Sequence, residues 1–145
     1  MNRSVFPILA LAAICFSGCA TYTMSKESFL AQTKGATMDN GRFMDVKDPW
    51  GGVERKWVNR IGQIHCEDSK NQAVVLLNAP SIEIRFSKTQ GGSVVLYFDS
   101  VFRSDSLVFG SRSRLIDGVM DTLYARDIAK IEIQDGRKKF SYVSP

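Results

Sequence analysis

Ile82-Glu83-Ile84-Arg85-Phe86, then the turn Gln90-Gly91-Gly92, then Val94-Val95-Leu96-Tyr97-Phe98 decide the fold class. Apolar residues at 82, 84 and 86 alternate with charged ones at 83 and 85. A period of two sends the two sets to opposite faces, so the segment reads as a half-buried strand. Upstream, residues 61–66 and the more continuously apolar 73–77 read the same way. Downstream, 101–102 and 107–109 are strands separated by a turn around Ser104-Asp105, and 111–116 continues the second of them. Asp117-Gly118 breaks the chain before 122–124. Ile131 and Ile133 then alternate with Glu132 and Gln134, and Asp135-Gly136 follows. Asp-Gly tolerates the positive φ angles of a type I′ turn, which predicts a hairpin with 140–143 as the returning strand.

Seven to nine short strands joined by turns too short for helical crossovers must pair antiparallel. The expected fold is mainly β: a small antiparallel barrel, roll or sandwich, because a sheet with one apolar face has to bury it. Ahead of the strands, Ser25 offers an N-cap hydroxyl, Glu27 sits in the first turn, and Phe29 with Leu30 supplies a small apolar face. These predict one short helix over 26–32, ending before Gly35. Residues 34–56 show neither period. With turns at Asp39-Asn40-Gly41 and Asp48-Pro49-Trp50-Gly51-Gly52, they read as irregular.

The N-terminus carries a different signal. Arg3 precedes a 12-residue apolar run, Val5 to Phe16, which is followed by Ser17-Gly18-Cys19. The run falls short of the roughly 20 residues a spanning helix needs, and Pro7 interrupts it. Phe16-Ser17-Gly18-Cys19 resembles the lipobox of bacterial lipoproteins, with Phe16 where that family usually has Leu. The resemblance implies that Cys19 takes a diacylglyceryl group, that cleavage follows Gly18, and that the new amine is acylated. Two or three acyl chains anchor a protein firmly, whereas one binds marginally. Ala20, rather than Asp, follows Cys19, which by the enterobacterial sorting rule implies the outer membrane. Residues 97–107, 110–114 and 128–136 are also similar to small lipoproteins of Bacteroidota-type bacteria. That similarity implies an exported envelope protein and no particular activity. The expected organisation is a cleaved signal peptide over 1–18, a lipidated tether over 19–24, and a single mainly β domain over 25–145.

Removing 18 residues from 145 leaves 127, enough for one domain that buries about two-thirds of its surface. Arg3 is the only charge removed, so the formal charge falls from +4 to +3, too small to imply a nucleic-acid partner. Cys15 leaves with the signal and Cys19 is acylated. Cys66 is then a lone thiol, either buried and inert or available for an intermolecular bridge.

Catalytic patterns are sparse. His65 is the single histidine, and a strand would turn it away from its neighbour Cys66. Gly110-Ser111-Arg112-Ser113-Arg114 lacks the closing glycine of a nucleophile elbow. His65 and Glu67 share a strand face, but nothing in the spacing brings a third metal ligand. Neither a metal nor a cofactor is expected.

Arg112 and Arg114, two apart on an extended strand, would share a face. They either contact an anionic ligand or protect a sheet edge. Trp50, beside flexible glycines, is either an exposed contact residue or an anchor into the core. The leading expectation is therefore a non-enzymatic binding or accessory lipoprotein of the cell envelope. Its partners are the lipid bilayer through Cys19, and an envelope protein or anionic ligand through Trp50, Arg112 and Arg114. The alternatives are an envelope-polymer hydrolase working with carboxylates alone and a purely structural envelope component.

Overall fold

A computed structural model describes residues 20–135 and 139–143. The signal segment 1–18, the Cys19 lipid site and the Gly136-Arg137-Lys138 part of the expected hairpin lie outside the described residues. Within them the chain is mainly β, with twelve strands in three antiparallel sheets and one α-helix. None of the sheets closes into a barrel.

The largest sheet has six strands. They are β1 (Thr21–Met24), β4 (Gln63–Glu67), β5 (Ala73–Leu77), β6 (Ile82–Lys88), β7 (Ser93–Tyr97) and β11 (Ile128–Asp135), in the order β5-β4-β1-β11-β6-β7. β6 alternates as the sequence predicts: Ile82, Ile84 and Phe86 are buried and Glu83 and Arg85 only half-buried. The helix α1 (Lys26–Gln32) starts where expected, with the Ser25 hydroxyl accepting from the Ser28 N–H at 3.1 Å. Its Phe29 is buried edge-on against Phe86, ring centroids 5.1 Å apart. Burying one such ring stabilises by about 1.5–3 kcal/mol. At its last turn, the Gln32 carboxamide pairs with both the N–H and the C=O of His65, at 2.9 Å each. A side-chain amide thus continues the ladder of β4 beyond the end of β1 and satisfies backbone groups that water would otherwise hold.

The second sheet joins β8 (Phe102–Ser104), β9 (Leu107–Ser111) and β10 (Met120–Tyr124) in the order β10-β9-β8. The third joins β2 (Arg42–Lys47), β3 (Val53–Val58) and β12 (Ser141–Tyr142) in the order β12-β2-β3.

Four expectations are corrected. Strands number twelve, not seven to nine. Residues 34–56 are not irregular: β2 and β3 form a hairpin around the 48–52 turn. Their burial does not alternate, because only Val46 and Val58 are buried, so no period of two marks them. Asp48 fixes the turn by accepting from the N–H groups of Trp50 and Gly52, and Gly51 takes φ of +92°.

The last two corrections share one cause. Thr21–Met24 is not a loose tether but a central strand, hydrogen-bonded to β11 on one side and β4 on the other. With β6 on its other edge, β11 has no free edge for the segment after Asp135. Ser141 and Tyr142 pair instead with Lys47 and Val46 in the third sheet. The hairpin predicted between 131–134 and 140–143 therefore does not form.

Candidate binding surface

The three sheets meet at the turn Phe98-Asp99-Ser100, which follows β7. Asn59, directly after β3, donates its backbone N–H to the Asp99 carbonyl at 2.7 Å. Its side-chain amide donates to the carbonyls of Phe98 and Val101 at 2.7 and 3.0 Å. The Ser100 hydroxyl accepts from the Ser111 N–H at 3.0 Å. β9 runs so close there that a Cβ added to Gly110 would lie 2.7 Å from the Ser100 carbonyl oxygen.

The Asp99 side chain also ties the junction together. One carboxylate oxygen pairs with the Arg114 guanidinium, and the other accepts from the Tyr142 hydroxyl at 2.5 Å. Arg114 also donates from Nε to the Pro80 carbonyl at 3.0 Å and lies over the Tyr97 ring, 4.3 Å from its centroid. The side chains of Arg114 and Asp99 are 3% and 0% exposed. Asp99 follows β7 of the first sheet, Arg114 follows β9 of the second, and Tyr142 lies on β12 of the third. Burial, then the adjacent Asp99 charge and the hydrogen bond to it, push the Tyr142 hydroxyl well above its ordinary pKa.

Over this cluster lies a depression of about 420 Å³ lined by Trp50, Tyr97, Arg112, Arg114, Leu115 and Phe140, among others. Trp50, Arg112 and Arg114 are thus brought together, but not in the manner their spacing suggests. β9 ends at Ser111, so the two arginines do not share a strand face. The Ser111 hydroxyl donates to the Ser113 carbonyl at 2.6 Å, folding the backbone into a bend and turning only Arg114 inward. Arg112 has a side chain 57% exposed and reaches Asp121 at 3.5 Å. Trp50 is 77% exposed, which decides against the core-anchor reading. Leu115, which lines the same depression, and its chain neighbour Ile116 are also exposed. The loop that carries them is held to β3 by Lys56, which bonds Asp117 at 2.5 Å and Glu54 at 2.7 Å. Burial alone would lower the Lys56 pKa, but the bonds to Asp117 and Glu54 outweigh it and raise the value.

Other candidate groups are placed more simply. Cys66 is buried and His65 exposed, on opposite faces of β4. Burial raises the Cys66 thiol pKa, which favours the unreactive thiol. Among the described residues, no three His, Cys, Asp or Glu side chains converge as metal ligands.

A second depression, of about 460 Å³, is lined by Leu30, Lys34, Met38, Asp39, Arg103 and Asp105, among others. Sequence reading did not pair Asp39 with Asp105, which are 66 positions apart. Both are exposed, unlike the water-poor carboxyl that a glycosidase acid requires. No family model, curated protein or solved structure matches this chain.

Proposed function

We propose that this chain is a non-enzymatic binding or accessory lipoprotein of the bacterial cell envelope. In this reading Cys19 anchors it, most plainly in the outer membrane, and the Trp50 depression is its contact surface. The domain is read as sandwich-like, with the smaller sheets folded against the six-stranded one around Asp99. The observation that carries the contact reading is convergence: an exposed Trp50, the exposed Arg112 and the buried Arg114 border one depression although they come from two different sheets. A large aromatic ring held by a hydrogen-bonded turn offers contact area at little entropic cost. The lipobox resemblance supplies the location.

Labelling with a palmitate analogue tests the anchor. Wild type is expected to take the label and fractionate with membranes. Cys19→Ala is expected to do neither, and equal labelling of the two would refute the reading.

The second depression gives one specific ground for the hydrolase alternative, since Asp39 and Asp105 face it together. That alternative requires turnover of an envelope glycan, lost in Asp39→Asn and Asp105→Asn. The binding reading expects no turnover by wild type.

A further inference from the structure

We infer that the Trp50 depression faces the bilayer to which Cys19 is attached, and that its partner is the phospholipid headgroup layer. This rests on the anchored reading proposed above and names the partner of the same surface.

The register of the large sheet carries the inference. Thr21 pairs with Gln134, Gln134 with Glu83, and Glu83 with Tyr97, so one row runs across β1, β11, β6 and β7. Tyr97, at the far end of that row, lines the depression together with Trp50. Three interstrand spacings separate Thr21 from Tyr97, about 14 Å. Cys19 is two residues before Thr21, at most about 7 Å away along an extended chain. Because β1 is an interior strand of the sheet, a single residue, Ala20, separates Cys19 from the packed domain. An acylated Cys19 therefore holds this end of the sheet, and not the opposite end, against the membrane.

The chemistry exposed at that end fits an interface. Trp50, Leu115 and Ile116 are exposed apolar groups, and an indole ring is favoured at the headgroup level of a bilayer. Arg112, bridged to Asp121 at 3.5 Å, borders the same depression, and Lys139 is exposed directly before Phe140 in its wall. β4 runs antiparallel to β1 with Glu67 opposite Thr23, so the chain past Glu67, with Lys70 in its turn, heads toward the Thr21 end. Two acids there are engaged within their own turns: Asp48 accepts from Trp50 and Gly52, and Asp68 from Lys70 and Gln72. Exposed cations near a membrane surface are attracted to anionic lipid.

The test uses the full-length, natively processed protein in vesicles of phosphatidylethanolamine and phosphatidylglycerol, with brominated acyl chains as short-range quenchers. Intact mass spectrometry reports the state of Cys19 in the same sample. With Cys19 acylated, wild-type tryptophan emission is expected to shift to shorter wavelength and to be quenched by the brominated lipid. Trp50→Phe, which retains Trp57, is expected to lose most of that quenching. Acylated protein whose Trp50 emission is quenched by aqueous iodide and untouched by brominated lipid overturns the membrane-facing assignment alone, leaving the surface for a soluble partner. An unmodified Cys19 overturns this inference and the anchored reading together.

Discussion

The floor and the rim of the Trp50 depression are built on opposite principles. The buried Arg114 lines the floor, and behind it Asp99 holds the Arg114 guanidinium on one carboxylate oxygen and the half-buried Tyr142 hydroxyl on the other, joining three sheets. At the rim, Trp50, Arg112 and Leu115 are exposed and contribute little to holding the sheets together. A buried charge pair is costly to break, because removing one partner strands the other in a place water cannot reach. An exposed side chain can be exchanged with little effect on stability. The molecule thus separates what keeps the depression in shape from what is free to touch something else.

The largest effect is expected at the floor. Asp99→Ala leaves Arg114 buried without its counter-charge and is expected to cost about 3–5 kcal/mol in urea unfolding. A loss under 1 kcal/mol would break the distinction between floor and rim.

Tyr142→Phe is a smaller change, removing a hydrogen bond to a charged acceptor and costing about 1.5–3 kcal/mol. Its pH dependence sharpens the comparison. The folded-state pKa of Tyr142 is raised, so its contribution is complete below the ordinary tyrosine value near 10. Above that pH the unfolded chain releases the proton while the folded chain keeps it, and stability is lost as pH rises. The gap between wild type and Tyr142→Phe should therefore narrow above about pH 10. A constant gap across that range would show that the phenol is not held as described.

Trp50→Ala should be the mildest, within about 0.5 kcal/mol of wild type in stability. Most of the membrane-dependent quenching should nonetheless be lost. A large loss of stability would move Trp50 from the rim to the framework.

Much of the large sheet was legible in the sequence, and the reasons are local. β6 alternates cleanly, β5 was bounded correctly, and Ser25 announced the helix. What was missed depends on partners distant in sequence. Thr21–Met24 is too short to show a pattern and becomes a strand only because β11 and β4 lie on either side. Once it takes the edge of β11, the Asp135-Gly136 signal cannot produce the hairpin its residues favour, and Tyr142 is sent to Asp99. The β2–β3 hairpin was invisible because neither strand buries a continuous face. Its stabilising pairs, such as Phe43 edge-on against Trp57 at 4.7 Å, lie across the strands rather than along them.

At the candidate surface, the residue types Trp50, Arg112 and Arg114 were legible, but the division of labour between the arginines was not. Asp99 was missed entirely. A lone acid between Phe98 and Ser100 gives no sign of a counter-charge 15 positions away.

The most direct test compares Arg112→Ala with Arg114→Ala in parallel urea titrations. The two residues read alike in sequence and are assigned opposite roles here. Arg114→Ala is expected to lose about 3–5 kcal/mol and Arg112→Ala no more than about 0.5 kcal/mol. Equal losses, or a larger loss at Arg112, would contradict the division between a structural floor and an exposed rim.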